Sequence, residues 1–354
     1  MQVFNAGRME KIIEHIAAGH CRIAFGKNEV QEKLLRLDSA AIAGSAGAGE
    51  CSGECSGECS GECSGAGAAE CSAAEARVEI LCGEGSQAHL LFELGANPEL
   101  GAKPELGAKS ELGAKSELGA KSELGKEAAL SAQSGAPKTK MEVKLERGAL
   151  LRLDVVQETS LHLVVHLEGD STLYFGSFSV GGSLIENDYE IDFDAPHSEA
   201  HLGGVYITSG TERFSTNVNV NHNHGDTLSN QLFKGILSGS SVARFQGRIT
   251  VLKDAQKTKA YQANNNLLIS PDARAYTRPH LVINADDVQC SHGATVGSLS
   301  QDELFYMRSR GISLQEAQLL QQQAFVHEVT DRLLTAESQE IILPLLEDAL
   351  RNRL

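Results

Sequence analysis

The chain has 354 residues, 41% of them hydrophobic and 5% aromatic, with no tryptophan. That length allows one large domain with appendages or two domains, and a core so poor in aromatics has to be built from Leu, Val, Ile and Ala. The formal net charge of −16 repels phosphate backbones and argues against nucleic acid as a partner.

The opening residues, MQVFNAGRMEKIIEHIAAGH, carry charges throughout and show no apolar run followed by a small-residue cleavage site, so no secretory signal is expected. No stretch reaches the roughly 20 apolar residues that cross a bilayer, so no membrane partner is expected. A cytoplasmic protein is the expectation, its eight cysteines reduced. Between Arg8 and Gly19, Ile12, Ile13 and Ile16 fall at helical spacing, which predicts one short amphipathic helix within an N-terminal segment over residues 1–48.

A tandem CSGE tetrapeptide (residues 49–65) dominates a linker over 49–75, and repeats of ELGAKS and close variants fill an insertion over 93–140. Each ELGAKS unit has one large apolar residue, a leucine, beside Gly and Ala, which is too little to bury by stacking. Both blocks read as solvated linkers. Between them, ARVEILCGEGSQAHLLFE (76–93) alternates like strands and is the expected first coil of a β core over 76–297.

From Met141 to Thr295 short alternating runs such as LRLDVV, LHLVVHLEG, YEIDFD and ARFQGRITVL follow one another, with Gly, Asn, Asp and Ser in the gaps. Period-two alternation marks half-buried strands, and those gap residues suit turns. The pattern allows a sandwich, a barrel or a β-helix. The run Asn264–Asn266 suggests coil corners or an asparagine ladder. A helical domain is expected over 298–354. Ser300-x-x-Glu303 and Ser313-x-x-Glu316 read as capping boxes, with Gly311 a stop between them. The second helix, Leu314–Leu334, shows Ala317, Leu320, Ala324, Val326 and Leu333; the third, Ser338–Leu354, has Ile341, Ile342, Leu345, Leu346 and Leu350 on one side and Pro344 near its first turn.

The stretch 282–297 holds Cys290 and His292 two residues apart in an extended run, so both point the same way. Thiolate and imidazole are ligands that iron, zinc and copper prefer. Around them lie SNQLFKGIL, FQGRITV, AQKTKAYQANNNLL, RPHLVINADDV and LFYMRSRGIS, in that order. This set resembles the core of the SufB/SufD family of iron–sulfur cluster assembly scaffolds, from about Glu142 to Arg332 and most densely from Asn219 onward. SufB-type chains carry a glutamate on each side of the motif histidine; Ser291 and Gly293 stand there, as in SufD-like chains. The resemblance implies a right-handed parallel β-helix and a non-enzymatic scaffold. It also implies a SufB-like partner through the β-helix and a SufC-like ATPase on the C-terminal helices. It implies no stably bound cofactor, only transient iron or a forming cluster at the partner interface. By position the assembly role falls on His292, with Cys290 the weaker candidate or a core thiol.

Other constellations weigh less. Cys51, Cys55, Cys59 and Cys63 have metal-ligand spacing but no hydrophobic support, so a linker is the better reading. His222 and His224 read as an alternating polar strand on a solvated face. Asp286 and Asp287, read as adjacent strand residues, point to opposite faces and cannot form the facing acid/base pair of a carbohydrate-active β-helix enzyme. There is neither GxxxxGK[ST] nor HExxH, so ATP hydrolysis, if coupled, has to come from a partner. A β-helix interaction protein without assembly activity is the alternative.

Overall fold

The computed structural model describes residues 13–17, 20–30, 35–38, 76–94 and 138–353. Two sheets are built strand by strand in alternation. Sheet A takes β1 (Ile13–Ala17), β2 (His20–Phe25), β4 (Ala76–Cys82), β6 (Lys138–Leu145), β8 (Ser160–Leu167), β10 (Leu184–Phe193), β12 (Arg213–His222), β14 (Val242–Val251) and β16 (Arg274–Ile283), in that spatial order. Sheet B takes β3 (Leu35–Asp38), β5 (Gln87–Leu94), β7 (Leu150–Gln157), β9 (Thr172–Ser179), β11 (Glu199–Thr208), β13 (Leu228–Leu237), β15 (Lys259–Leu268) and β17 (Gln289–Gly297). From β2 onward each strand pairs in parallel with the strand two further along the chain, one coil of the solenoid later. The fold is a parallel β-helix with two strands per coil.

Coil-to-coil register keeps inward residues stacked on inward residues. The interior is aliphatic, with Leu90, Leu153, Leu163, Val218 and Ile249 buried among a few rings such as Phe92, Phe175 and Phe193. Burying each such side chain contributes about 1.5–3 kcal/mol. The turns from sheet A to sheet B stack as well. Asn28, Gly85, Gly148 and Asp170 all take positive φ. Their N–H groups donate to carbonyls of the next turn: Asn28 to Glu84 (2.7 Å), Gly85 to Arg147 (2.9 Å), Gly148 to Gly169 (3.0 Å) and Asp170 to Pro196 (3.3 Å). Gly, Asn and Asp adopt that conformation most cheaply, which suits them to these four turns; His197 and Lys257 take it in later turns of the same series.

The two sheets differ on their outer faces. β12 of sheet A alternates buried and exposed, whereas β11 and β13 of sheet B are buried on both faces along most of their length. The cover is helical: α1 (Gln301–Ser309), α2 (Leu314–Leu333) and α3 (Ala336–Arg353) follow the last strand. Val326, Val329 and Leu333 of α2 and Ile342, Leu346 and Leu350 of α3 pack on the outward Leu91, Val156, Phe178, Val205 and Ile236. Gly203 permits that approach, since a Cβ there would sit 2.4 Å from the Leu333 side chain and 2.9 Å from the Leu232 carbonyl. Lys234, nearly fully buried on sheet B, pairs with Glu328, donates to the Phe325 carbonyl at 2.9 Å and lies over the Phe325 ring. Arg353 ends α3 by reaching the Val180 carbonyl and the Glu212 carboxylate.

The capping signals hold: Ser300 and Ser313 accept from the backbone N–H of Glu303 and Glu316, and Gly311 takes φ +91°. On α2, Ala317, Val326 and Leu333 are buried, while Leu320 and Ala324 face solvent. Several sequence expectations need correction. In the segment expected as an N-terminal helix, the described part, Ile13–Ala17, is a strand antiparallel to β2; residues 8–12, 18 and 19 lie outside the described residues. A helix that short is marginal alone, and pairing with a neighbouring strand satisfies its backbone instead. A coil of β2 and β3 precedes the one at β4 and β5, so the solenoid starts before residue 76. Asn264 and Asn266 sit mid-strand in β15 rather than at a corner. They face inward without stacking on other asparagines: Asn264 donates to the Tyr206 hydroxyl at 3.1 Å and the Phe233 carbonyl at 3.2 Å, and Asn266 donates to Asn264 at 2.8 Å. Pro344 lies inside α3, because the helix begins at Ala336. Asp286 and Asp287 occupy the exposed turn between β16 and β17, not a strand.

The CSGE and ELGAKS blocks, with Cys51, Cys55, Cys59 and Cys63, lie outside the described residues. Both leave and re-enter the solenoid at the same kind of corner, from sheet B to sheet A, at β3–β4 and β5–β6. Strands on either side stay in register across both insertions.

Candidate functional site

At the C-terminal end of the solenoid the stacking stops. β16 pairs only with β14 and β17 only with β15, so each presents a strand edge with no neighbour among the described residues. Cys290 and His292 sit on β17, as their spacing predicts. The register stacks Cys290 on Ala260 and His292 on Gln262. Ala260 and Gln262 are buried inward residues of β15, so both motif residues face the interior column rather than the helices. With no coil above it, that inner side is open, which leaves His292 exposed and Cys290 half-buried.

The two residues differ chemically. Cys290 packs against the inner core. Burial pushes its thiol up from the ordinary cysteine value, and a backbone hydrogen bond involving Ala260 offsets part of that. A thiol held protonated is a weak nucleophile and a weak ligand. His292 carries an accessible imidazole. Its flanks are Ser291 and Gly293, and a Cβ on Gly293 would meet nothing within 4 Å. Beneath His292, Gln262 Nε2 donates to Gln231 Oε1 at 2.7 Å. Gln262 Oε1, Gln231 Nε2 and Thr277 Oγ1 are buried without a hydrogen-bond partner. Thr277 faces inward on β16, in register with Phe245. Unpaired buried polar atoms cost about 1–3 kcal/mol each, so the end of the column is the least satisfied part of the interior.

Among the described residues no three His, Cys, Asp or Glu side chains gather as a metal cage. His292 and Cys290 therefore supply two donors at most, and a complete coordination shell needs groups from elsewhere.

His222 is a core residue, not part of a solvated strand. It is fully buried, stacks on Phe193 with ring centroids 4.4 Å apart, and contacts Thr227 Oγ1 and Ser229 Oγ at 2.8 Å each. Burial pulls its pKa down to about 3. His224 lies beyond the strand end in the following turn and is exposed, so the two histidines do not share a face.

Sequence reading missed a Ser–His–Asp cluster, because its members are far apart in the chain. Ser338 of α3 donates to Asp154 Oδ2 at 2.6 Å, and His89 Nε2 lies 3.0 Å from the serine and 3.2 Å from the carboxylate. A hydrolytic triad needs serine and carboxylate on opposite ring nitrogens and an accessible serine. Here both face Nε2 and Ser338 is fully buried. The cluster fastens α3 to sheet B.

Residues 114–325 match the family model described as "SUF system FeS cluster assembly, SufBD core domain". The iron–sulfur cluster assembly protein SufD of Escherichia coli is 38% identical over 167 residues, 47% of this chain and 40% of that protein. The SufBD family protein slr0076 of Synechocystis is 37% identical over 161 residues, 46% of this chain and 36% of that protein. Protein ABCI7, chloroplastic, of Arabidopsis thaliana is 30% identical over 207 residues, 56% of this chain and 44% of that protein. The chain thus spans less than half the length of these relatives. With the domain match covering more than half of the chain, and the solenoid and its terminal Cys-x-His strand in place, this protein belongs to the SufB/SufD family of the SUF iron–sulfur cluster assembly system.

Proposed function

We propose that this chain is a SufD-like cytoplasmic scaffold subunit, not itself an enzyme, that receives iron or a nascent cluster transiently at His292. The carrying observation is the position of His292: an exposed imidazole on the inner side of an unpaired terminal coil. Open strand edges invite pairing with another chain. A SufB-like subunit added at β16 and β17 would continue both sheets, cover the unsatisfied Gln262 and Thr277, and supply the donors that His292 lacks. Cys290 contributes at most as a secondary ligand, since its thiol is held protonated by burial. Iron or cluster is cargo in this reading, and no resident cofactor is invoked.

The helical layer is the proposed seat of a SufC-like ATPase. Phe305 and Tyr306 on α1 are 76% and 60% exposed, with Leu314 and Leu320 also open on α2. Aromatic side chains are enriched at protein interfaces relative to the rest of the surface. Because α2 and α3 pack directly on sheet B, movement of a docked ATPase would reach the strands that run to the open end.

The test is co-expression with SufB and SufC from the same source, anaerobic purification, and measurement of subunit ratio, iron and sulfide. A stable complex carrying iron and sulfide is expected, with His292→Ala preserving the complex and lowering the loading. Full loading in that variant removes His292 from the site. Absence of any complex makes the chain a β-helix interaction protein without assembly activity.

A further inference from the structure

The chain carries a net charge of −16, yet the outer face of its last sheet A strands is basic. Arg244 and Arg248 stand outward on β14, and Arg274 and Arg278 outward on β16, where Tyr276 and His280 alternate with them. The remaining outward residues of these two strands are Val, Gln and Thr, with no carboxylate among them. Arg244 lies over the Tyr276 ring, 5.6 Å from its centroid. Arg248, Arg274 and Arg278 are exposed and have no hydrogen-bond or ion-pair partner among the described residues. Uncompensated like charges on one face repel one another, and an anionic ligand relieves that repulsion.

Register staggers the arginines. Val242 aligns with Arg274, Arg244 with Tyr276, Gln246 with Arg278 and Arg248 with His280. Each of these rows therefore holds one arginine, alternately on β16 and on β14. Alternate residues of a strand lie ~6.6 Å apart and neighbouring strands ~4.8 Å apart, so the guanidinium groups follow a narrow zigzag along the strand direction. An extended polypeptide laid over the seam between β14 and β16 has the same repeat, because its own alternate side chains point to one side at that spacing. A segment with carboxylates at alternate positions thus meets one arginine per row. The planar fork of arginine suits this contact, since it can take a carboxylate through two hydrogen bonds. The basic stripe is bounded. Beyond the nearly uncharged β12, the same face of β10 carries Glu186, Asp188, Glu190 and Asp192, which repel a polyanion that spreads past the stripe.

We propose that the outer face of β14 and β16 is a docking surface for an extended acidic segment of a partner protein, its carboxylates at alternate residues held chiefly by Arg248, Arg274 and Arg278. Exposed ion pairs are individually weak and screened by salt, so docking is transient and salt-sensitive. The surface uses neither the open strand edges nor the apolar residues of the helical layer, so it does not rest on the proposed function.

The experiment is fluorescence anisotropy of the full chain with labelled peptides of about 12 residues, since four rows need roughly 20 Å of extended chain. One probe is a Glu-Ser repeat. The second is a Glu-Glu-Ser-Ser repeat of the same composition, which turns half of its carboxylates away from any one face. The third is an oligouridylate of equal charge. The Glu-Ser repeat is expected to bind roughly five-fold tighter than the second probe, and to weaken roughly ten-fold or more between about 50 mM and about 500 mM NaCl. Arg248→Thr with Arg278→Thr should lower its affinity roughly ten-fold. Arg308→Gln with Arg351→Gln, an equal change of charge at exposed positions on the helical layer, should leave it within about two-fold. Circular dichroism checks that both variants fold. A photoreactive group on the Glu-Ser peptide should label β14 or β16, identified by peptide mass. Absence of salt-sensitive binding overturns the proposal, as do equal affinities for the two repeats, equal losses in the two variants, or labelling confined to other elements. Tighter binding of the oligouridylate than of the Glu-Ser repeat also overturns it, and assigns the face to nucleic acid.

Discussion

Ser338 on α3 and Asp154 on β7, far apart in sequence, share a 2.6 Å hydrogen bond that joins the helical layer to the solenoid. Both residues are almost wholly buried, and His89 on β5 completes the contact from the neighbouring coil. An apolar helix face alone would let α3 slide over the aliphatic outer face of sheet B. A buried polar contact has one satisfied arrangement, so it sets the register of docking.

Removing one member of that contact should therefore cost more than its packing. Ser338→Ala leaves Asp154 with only His89, and a loss of about 1–2 kcal/mol is expected; Asp154→Ala strands both partners and should cost about 2–3 kcal/mol. Urea unfolding measures the loss. Hydrogen exchange should show the loosening concentrated in α3, and uniform loosening of the solenoid would contradict the latch.

Lys234 and Glu328 make an asymmetric pair. The lysine side chain is 4% exposed and the glutamate 44%. Deleting the glutamate leaves a buried ammonium with only the Phe325 carbonyl and ring, whereas replacing the lysine by an apolar chain leaves a carboxylate that water can reach. Glu328→Ala should thus destabilise by about 1–3 kcal/mol and Lys234→Met by less. The hydrogen bond from Lys234 holds the Glu328 carboxyl below its usual range, despite opposing desolvation. Its contribution is therefore present above the unfolded carboxyl value and lost as pH falls through the lower folded one. Thermal melts of both variants from neutral to acid pH check the order and the sign.

Much of this architecture is legible in the sequence, residue by residue. The strand holding Cys290 and His292, the serine caps at 300 and 313 and the turn at Gly311 all follow from local spacing and backbone chemistry. What local pattern does not carry is which neighbour each face meets. That His292 ends an interior column requires its register with Gln262, a contact between coils. The burial of His222 is legible in the sequence: counting in twos from Phe214 through Thr216, Val218 and Val220 reaches it on the inward face. The asparagines interleaved with that series belong to the opposite face. The early coil at β2 and β3 is obscured because a long insertion separates it from its partners.

Burial of His222 gives a pH signature. Its folded pKa is depressed to about 3 by desolvation. Well above the ordinary histidine value both folded and unfolded states hold it neutral, so it contributes no slope there. As pH falls below the ordinary histidine value of about 6.5, the unfolded state gains a proton that the folded state refuses, and stability declines by on the order of 1 kcal/mol per pH unit. His222→Gln removes that component. The variant should be less stable near pH 7, through loss of the Phe193 stack, yet show a shallower decline between about pH 6 and pH 4. Parallel declines for both proteins would mean that His222 is not the titrating group.

The shared corner of the two insertions predicts that both are dispensable for folding. At the next corner of the same kind, β7 and β8 are joined by Glu158 and Thr159 alone, and the coils stack there as they do across the insertions. A two-residue connection is therefore long enough for this geometry. Closing a loop costs entropy that grows only with the logarithm of its length, so replacing a connection of roughly 40 residues by a two-residue turn should stabilise by about 2–3 kcal/mol. A chain with residues 95–137 replaced by Glu-Thr should keep its strand content by circular dichroism and melt at or above the wild-type temperature. Substitution of residues 39–75 in the same way tests the second corner. If either replacement lowers the melting temperature by several degrees, the inserted residues contribute contacts to the solenoid and are more than connections.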